Sequence, residues 1–176
     1  MASNQPTQAL NVVPSDTINI PEPDAYITGT SNSATGTTLT DLNADFLGVN
    51  NPGNTGYSNR VAVGDVVYVH ASTTPGAAVT IVTVTAVTNN TTIVVSGSVT
   101  GTKPYEIYRS NAGPSDSEGF SLFVGDGGNA ANIAVVPASS DQVVLLENIP
   151  DSSFIPLQVK RVNSTGTTAT KIIALR

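Results

Sequence analysis

Two runs of alternating β-branched and polar residues dominate the middle of the chain. They are Val79-Thr80-Ile81-Val82-Thr83-Val84-Thr85-Ala86-Val87 and Thr92-Ile93-Val94-Val95, joined through Asn89-Asn90. Branching at Cβ restricts χ1 and disfavours a helix, while the same side chains pack well on a pleated surface. Two asparagines at a tight turn tolerate positive φ, so the segment reads as a β-hairpin. The flanking sequence follows suit. Val61-Ala62-Val63-Gly64-Asp65-Val66-Val67-Tyr68-Val69-His70 is a strand former interrupted at Gly64-Asp65. Tyr105-Glu106-Ile107-Tyr108-Arg109 closes this module, with Tyr105 and Ile107 on one face by the two-residue period of a strand.

The remaining composition leaves little room for helices. Of 176 residues, 15 are Gly and 11 are Pro; 39% are hydrophobic and only 11% charged, so Ser, Thr and Asn supply most of the polarity. The one segment suited to a helix is Thr40–Leu47, which would set Leu39, Leu42 and Phe46 on one face. The length allows one mid-sized domain or two small ones. No cysteine is present, which excludes disulfides, thiolate metal sites and Cys nucleophiles. A net charge of −6 with only 7 basic residues is unsuited to phosphate binding, so no nucleic-acid partner is expected. The start, Met1-Ala2-Ser3-Asn4-Gln5-Pro6, lacks the basic and apolar regions of a signal peptide. No run approaches the roughly 20 apolar residues of a membrane span. A soluble protein made in the cytosol is the expectation.

Residues 1–25 carry Pro6, Pro14, Pro21 and Pro23, a density that blocks helices and central strands. This is an extended N-terminal arm, read either as a loose tail or as an arm wrapping a neighbouring subunit. Residues 26–56 are rich in Thr, Ser and Asn and read equally as loop or strand edge, with a turn at Asn50–Asn54. A polar linker covers Ser110–Gly119. Short strands then recur at Phe120–Val124, Asn132–Val136 and Gln142–Leu146. The ending reads as a hairpin: Leu157 and Val159 alternate with Gln158 and Lys160, Asn163–Thr168 is a polar turn, and Ile172, Ile173 and Leu175 form the return strand. The fold class expected is all-β, two small antiparallel β-sandwich or barrel modules with an extended N-terminal arm.

The ending, "IPLQVKRVNSTGTTATKIIAL", resembles the C-terminus of a family of small virion proteins of tailed bacteriophages, which are capsid-associated or spike-base proteins. Val13-Pro14-Ser15-Asp16 resembles the start of the same family, and Leu122-Phe123-Val124-Gly125 a run inside it. The stretch from Val63 to Arg109 is similar to a β module recurring in structural proteins of marine tailed phages. In the family the start runs almost directly into the later strand, so the resemblance implies a base module carrying an insertion. The expected organisation is residues 1–25 as arm, 26–113 as inserted β module, and 114–176 as C-terminal β module joined by 10–21.

Catalytic patterns are sparse. His70 is the only histidine, no G-x-S-x-G elbow exists, and a zinc site would need an unrecognised carboxylate set. Asp116, Glu118 and Asp126 lie near Gly127-Gly128-Asn129 without calcium-loop spacing. No cofactor, no metal and no enzyme activity are expected. Lys160-Arg161 is the one adjacent basic pair, read either as solvated or as a contact to acidic groups of a partner. The resemblance implies a capsid decoration or cement protein on the exterior of the virion, assembled in the host cytoplasm. Its partners would be the major capsid protein and further copies of itself, as a homotrimer, with no nucleic acid and no membrane. Pro14, Ile18, Ile20, Lys160 and Arg161 are the candidate contact residues. The alternative is a head spike, fibre or tail-associated adhesin that binds glycans through exposed Tyr57, Tyr68, Tyr105 and Tyr108.

Overall fold

The alternating Val/Thr run becomes an eleven-residue strand, and its two halves serve different neighbours. This is seen in a computed structural model that describes residues 6–49, 60–110, 119–126 and 131–176. In chain order the strands are β1 (Ala9–Asn11), β2 (Ala25–Thr30), β3 (Ser33–Thr35), β4 (Thr38–Thr40), β5 (Val66–His70), β6 (Val79–Asn89) and β7 (Thr92–Val95). They continue with β8 (Pro104–Tyr108), β9 (Phe120–Asp126), β10 (Ala131–Pro137), β11 (Val144–Ile149), β12 (Ser153–Val162) and β13 (Thr170–Leu175). The chain is all-β, in two antiparallel sheets that do not close into barrels, with no helix among the described residues. It divides into two compact units, Asp24–Ser110 and a unit built from both ends, Met1–Pro23 with Asn111–Arg176.

The Asp24–Ser110 unit holds a seven-stranded sheet ordered β2-β8-β5-β6-β7-β4-β3. Val79–Thr83 of β6 pair with β5, and Val84–Asn89 pair with β7. The changeover bends the sheet around one core of Leu39, Phe46, Val67, Val84, Ile93, Val95, Tyr105 and Ile107, all nearly or fully buried. The Asn-containing turn forms, but by another mechanism than expected. Neither Asn89 nor Asn90 has positive φ. Instead Asn89 Oδ1 accepts hydrogen bonds from Thr91 N at 2.9 Å and Thr91 Oγ1 at 3.1 Å, an Asx turn.

Thr40–Leu47 is not a helix. Thr38–Thr40 are taken by β4 against β7, and the Asp41 carboxylate accepts from Asn43 N at 2.9 Å, a local bond that competes with helical pairing. Leu39 and Phe46 are fully buried, but Leu42 is 68% exposed, so the three do not share a face. The tyrosines expected at the surface are also inside: Tyr68, Tyr105 and Tyr108 are buried. An aromatic glycan surface built from them is therefore not available. Tyr57, the turn at 50–54, the linker at 111–118 and Gly127–Asn129 lie outside the described residues.

The other unit holds a six-stranded sheet ordered β1-β13-β9-β12-β10-β11. Phe120, Leu122 and Val124 of β9 are fully buried on alternate positions. The chain's ending is not a hairpin. Strands β12 and β13 flank β9 and both pair with it, Ile155 and Ala174 meeting Leu122, and Ile172 meeting Val124. The buried β9 offers both its edges to apolar strands. The intervening loop turns to β10 instead, with Asn163 N bonded to Ala134 O at 2.8 Å and Thr168 N to Asn132 O at 2.9 Å. Within β12 the alternation is broken by a register shift between Ile155 and Val159, which leaves Leu157 38% exposed while Val159 is buried.

Candidate functional site

The N-terminal segment and β12 meet along one seam, and it gathers all five residues expected to make contacts. The segment begins as an added strand, β1 on β13. It continues with Val12 N donating to Ile172 O, Ser15 N to Val162 O and Ile20 N to Lys160 O, each at 2.9 Å. Ser15 Oγ accepts from Ile18 N at 3.1 Å, which turns the chain between these anchor points. Leu10 and Ile20 are buried, while Pro14 and Ile18 are half-buried. The segment is extended, as its prolines require. Residues 7–20, however, place these backbone bonds on this chain's own sheet rather than on a neighbour's.

Asp16 fixes the seam to the loop after β12. Its carboxylate accepts from Thr165 N at 2.9 Å and Thr165 Oγ1 at 2.8 Å, across 149 positions of sequence. These bonds, led by the backbone N–H of Thr165, hold the Asp16 carboxyl below its ordinary value. Lys160 and Arg161 are occupied within the chain. Lys160 Nζ donates to Asp141 Oδ1 at 2.7 Å, and Arg161 Nε to Asn163 Oδ1 at 3.0 Å. Asp141 is almost fully exposed, so the Lys160–Asp141 pair is a solvated contact of small energetic weight.

Sequence reading missed the acids of the Asp24–Ser110 unit. Asp65 is buried and accepts from Tyr26 OH at 2.5 Å, Ala62 N at 2.7 Å and Arg109 Nη1 at 2.9 Å, while the Arg109 guanidinium stacks 3.9 Å over the Tyr26 ring. Beside it an open pocket of about 610 Å³ is lined by Leu47, Val61, Val63 and Val87 with Arg60 and Arg109. Asp41 is likewise buried, bonded by Tyr105 OH at 2.7 Å. His70 Nε2 lies 3.2 Å from Glu106 Oε2, the same oxygen that accepts from Tyr108 OH at 2.7 Å. Burial first, then these carboxylate partners, push the phenols of Tyr26, Tyr105 and Tyr108 well above the ordinary range. Each cluster ties together side chains from separate segments of the sheet. Among the described residues no group of three His, Asp or Glu side chains is placed to hold a metal.

No protein family, curated protein or solved structure matches this chain.

Proposed function

We propose that this chain is a non-enzymatic structural protein of a tailed bacteriophage, bound to the outside of the head, where it stabilises the shell. The observation that supports this most is the Asp16–Thr165 contact. Two of the segments that resemble the phage family, Val13–Asp16 and the ending Ile155–Leu175, are separated by most of the chain. They are nonetheless bonded directly in one unit. The clustered acids described above bond side chains of separate strands, which fits a structural role.

A cement protein works by burying surface across subunit junctions, on the order of 1,600 Å² for a specific interface. The outer side of β13-β9-β12 supplies a matching surface. Ile173, Phe123 and Phe154 stand directly opposite one another across the three strands, and Phe154 is 54% exposed. Aromatic residues are the favoured anchors of such contacts. The test is co-sedimentation of purified protein with mature, expanded heads, followed by heating. Binding that raises the temperature of head disruption is expected, and Phe154→Asp is expected to weaken binding at least tenfold with unchanged far-ultraviolet circular dichroism, at roughly 1.4 kcal/mol per tenfold. Failure of the parent protein to bind any head form would refute the proposal.

A further inference from the structure

Among the described residues the six-stranded sheet ends in two edge strands, the three-residue β1 and the six-residue β11. On one side the chain lays its own β1 over β13. On the other, β11 pairs only with β10 among the described residues, so a row of main-chain donors and acceptors has no strand beside it. The run Val143-Val144-Leu145-Leu146 on this edge is uncharged, and Val143, Val144 and Leu145 are 51%, 38% and 48% exposed. Proteins ordinarily guard such an edge with Lys, Pro, a bulge or short length. The other unit does so with β3, a three-residue Ser-Ala-Thr strand. In β11 the irregularities sit at the far end, where the register shifts between Ala131 and Ile133 and Asn148 has φ 58°. Residues 144–146 stay in regular pairing with β10, so alternate residues of this run direct their main-chain groups to the free side.

A row of free N–H and C=O groups selects an extended strand as its occupant, and apolar flanking side chains select one of the same kind. β11 is itself such a strand. We propose that β11 of one copy pairs antiparallel with β11 of a second copy, merging two six-stranded sheets across a two-fold axis. In an isologous contact the residue on the axis faces itself. Centring on Leu145 sets Val144 against Leu146 and Val143 against Glu147, with no like charges opposed. Centring on Val144 would bring Asp141, just before the strand, opposite Glu147, an approach of like charges that is destabilising. The Leu145 register is therefore the one assigned. Such a contact closes at two copies, so three-fold association would need a separate head-to-tail surface. The pairing does not depend on whether the protein binds a phage head.

The chain has no cysteine, which makes a single introduced thiol an unambiguous reporter. In the assigned register the two Cα atoms at position 145 lie about 5 Å apart, within the span of a disulfide. Mild oxidation of Leu145→Cys should give a covalent dimer rapidly. Leu42→Cys, on an exposed site of the other unit, should crosslink only at the collisional rate. By sedimentation the parent chain should be a dimer, and Val144→Lys should weaken it about tenfold or more, with unchanged circular dichroism. A monomeric parent chain overturns the proposal, including the case in which a strand of another protein is the true occupant. So does crosslinking of Leu145→Cys no faster than Leu42→Cys, or a dimer indifferent to Val144→Lys.

Discussion

Asp41, Asp65 and Asp16 each do a job that their local sequence does not announce. Asp41 is 4% exposed, and its Oδ2 depends on the hydroxyl of Tyr105. Tyr105→Phe removes that donor and leaves a buried carboxylate oxygen unsatisfied, at a cost of roughly 2 kcal/mol. Urea unfolding followed by tyrosine emission checks this, because all five tyrosines lie between residues 24 and 110 and the chain has no tryptophan. A shift of the midpoint below a quarter of that size would contradict the assignment. At Asp16 the expected effect is on pH. Unfolded, the carboxyl titrates near its ordinary value of 3.8; folded, the Thr165 bonds lower it. Between the two values the unfolded chain binds more protons, so this contribution to stability is complete above about 3.8 and is lost as pH falls through the folded value. Asp16→Asn should flatten that acid limb relative to the parent, measured by thermal unfolding at several pH values. Asp141, lowered by its hydrogen bond and charge contact with Lys160, titrates in the same window and remains in both proteins. These roles were not legible in advance: the side-chain partners of Asp41, Asp65 and Asp16 lie 64, 39 and 44, and 149 positions away.

Strands were legible where pattern and partner were both local. The β6–β7 pair sits on either side of a two-residue turn, so alternation and turn chemistry sufficed to find it. The strands β12 and β13 were found as strands but mispaired, because β9, far upstream in the sequence, supplies a better-buried partner for both. The false helix at Thr40–Leu47 arose from an apolar spacing that fits 3.6 residues per turn while Leu39 and Phe46 reach one core from separate non-helical segments. The N-terminal segment was expected to be an extended arm because of its prolines. Its docking on β13 and β12 was invisible, since it rests on backbone bonds and a few buried side chains, Leu10, Ile20 and Pro21. Removing residues 1–20 should therefore destabilise the unit built from the chain ends, and Ile20→Ala alone should cost roughly 2 kcal/mol. Far-ultraviolet circular dichroism reads that loss, with tyrosine emission from the other unit as internal reference. Unchanged unfolding after truncation would show that the segment is only a tail.

At the scale of the molecule, the chain forms two β units, one of them assembled from both ends. The division at Asp24 and Ser110 is a property of the fold. The head-bound role rests on the resemblance together with the Asp16–Thr165 closure and the apolar row at Phe154. Charge is consistent with an exterior position, since a chain of net −6 is repelled by packaged nucleic acid. The most direct measurement is a cryo-electron microscopy reconstruction of virions that carry this protein. The proposed function predicts density for it on the outer surface of the head, at a copy number comparable to the shell subunits. Density confined to the tail, or its absence from the particle, would contradict the proposal.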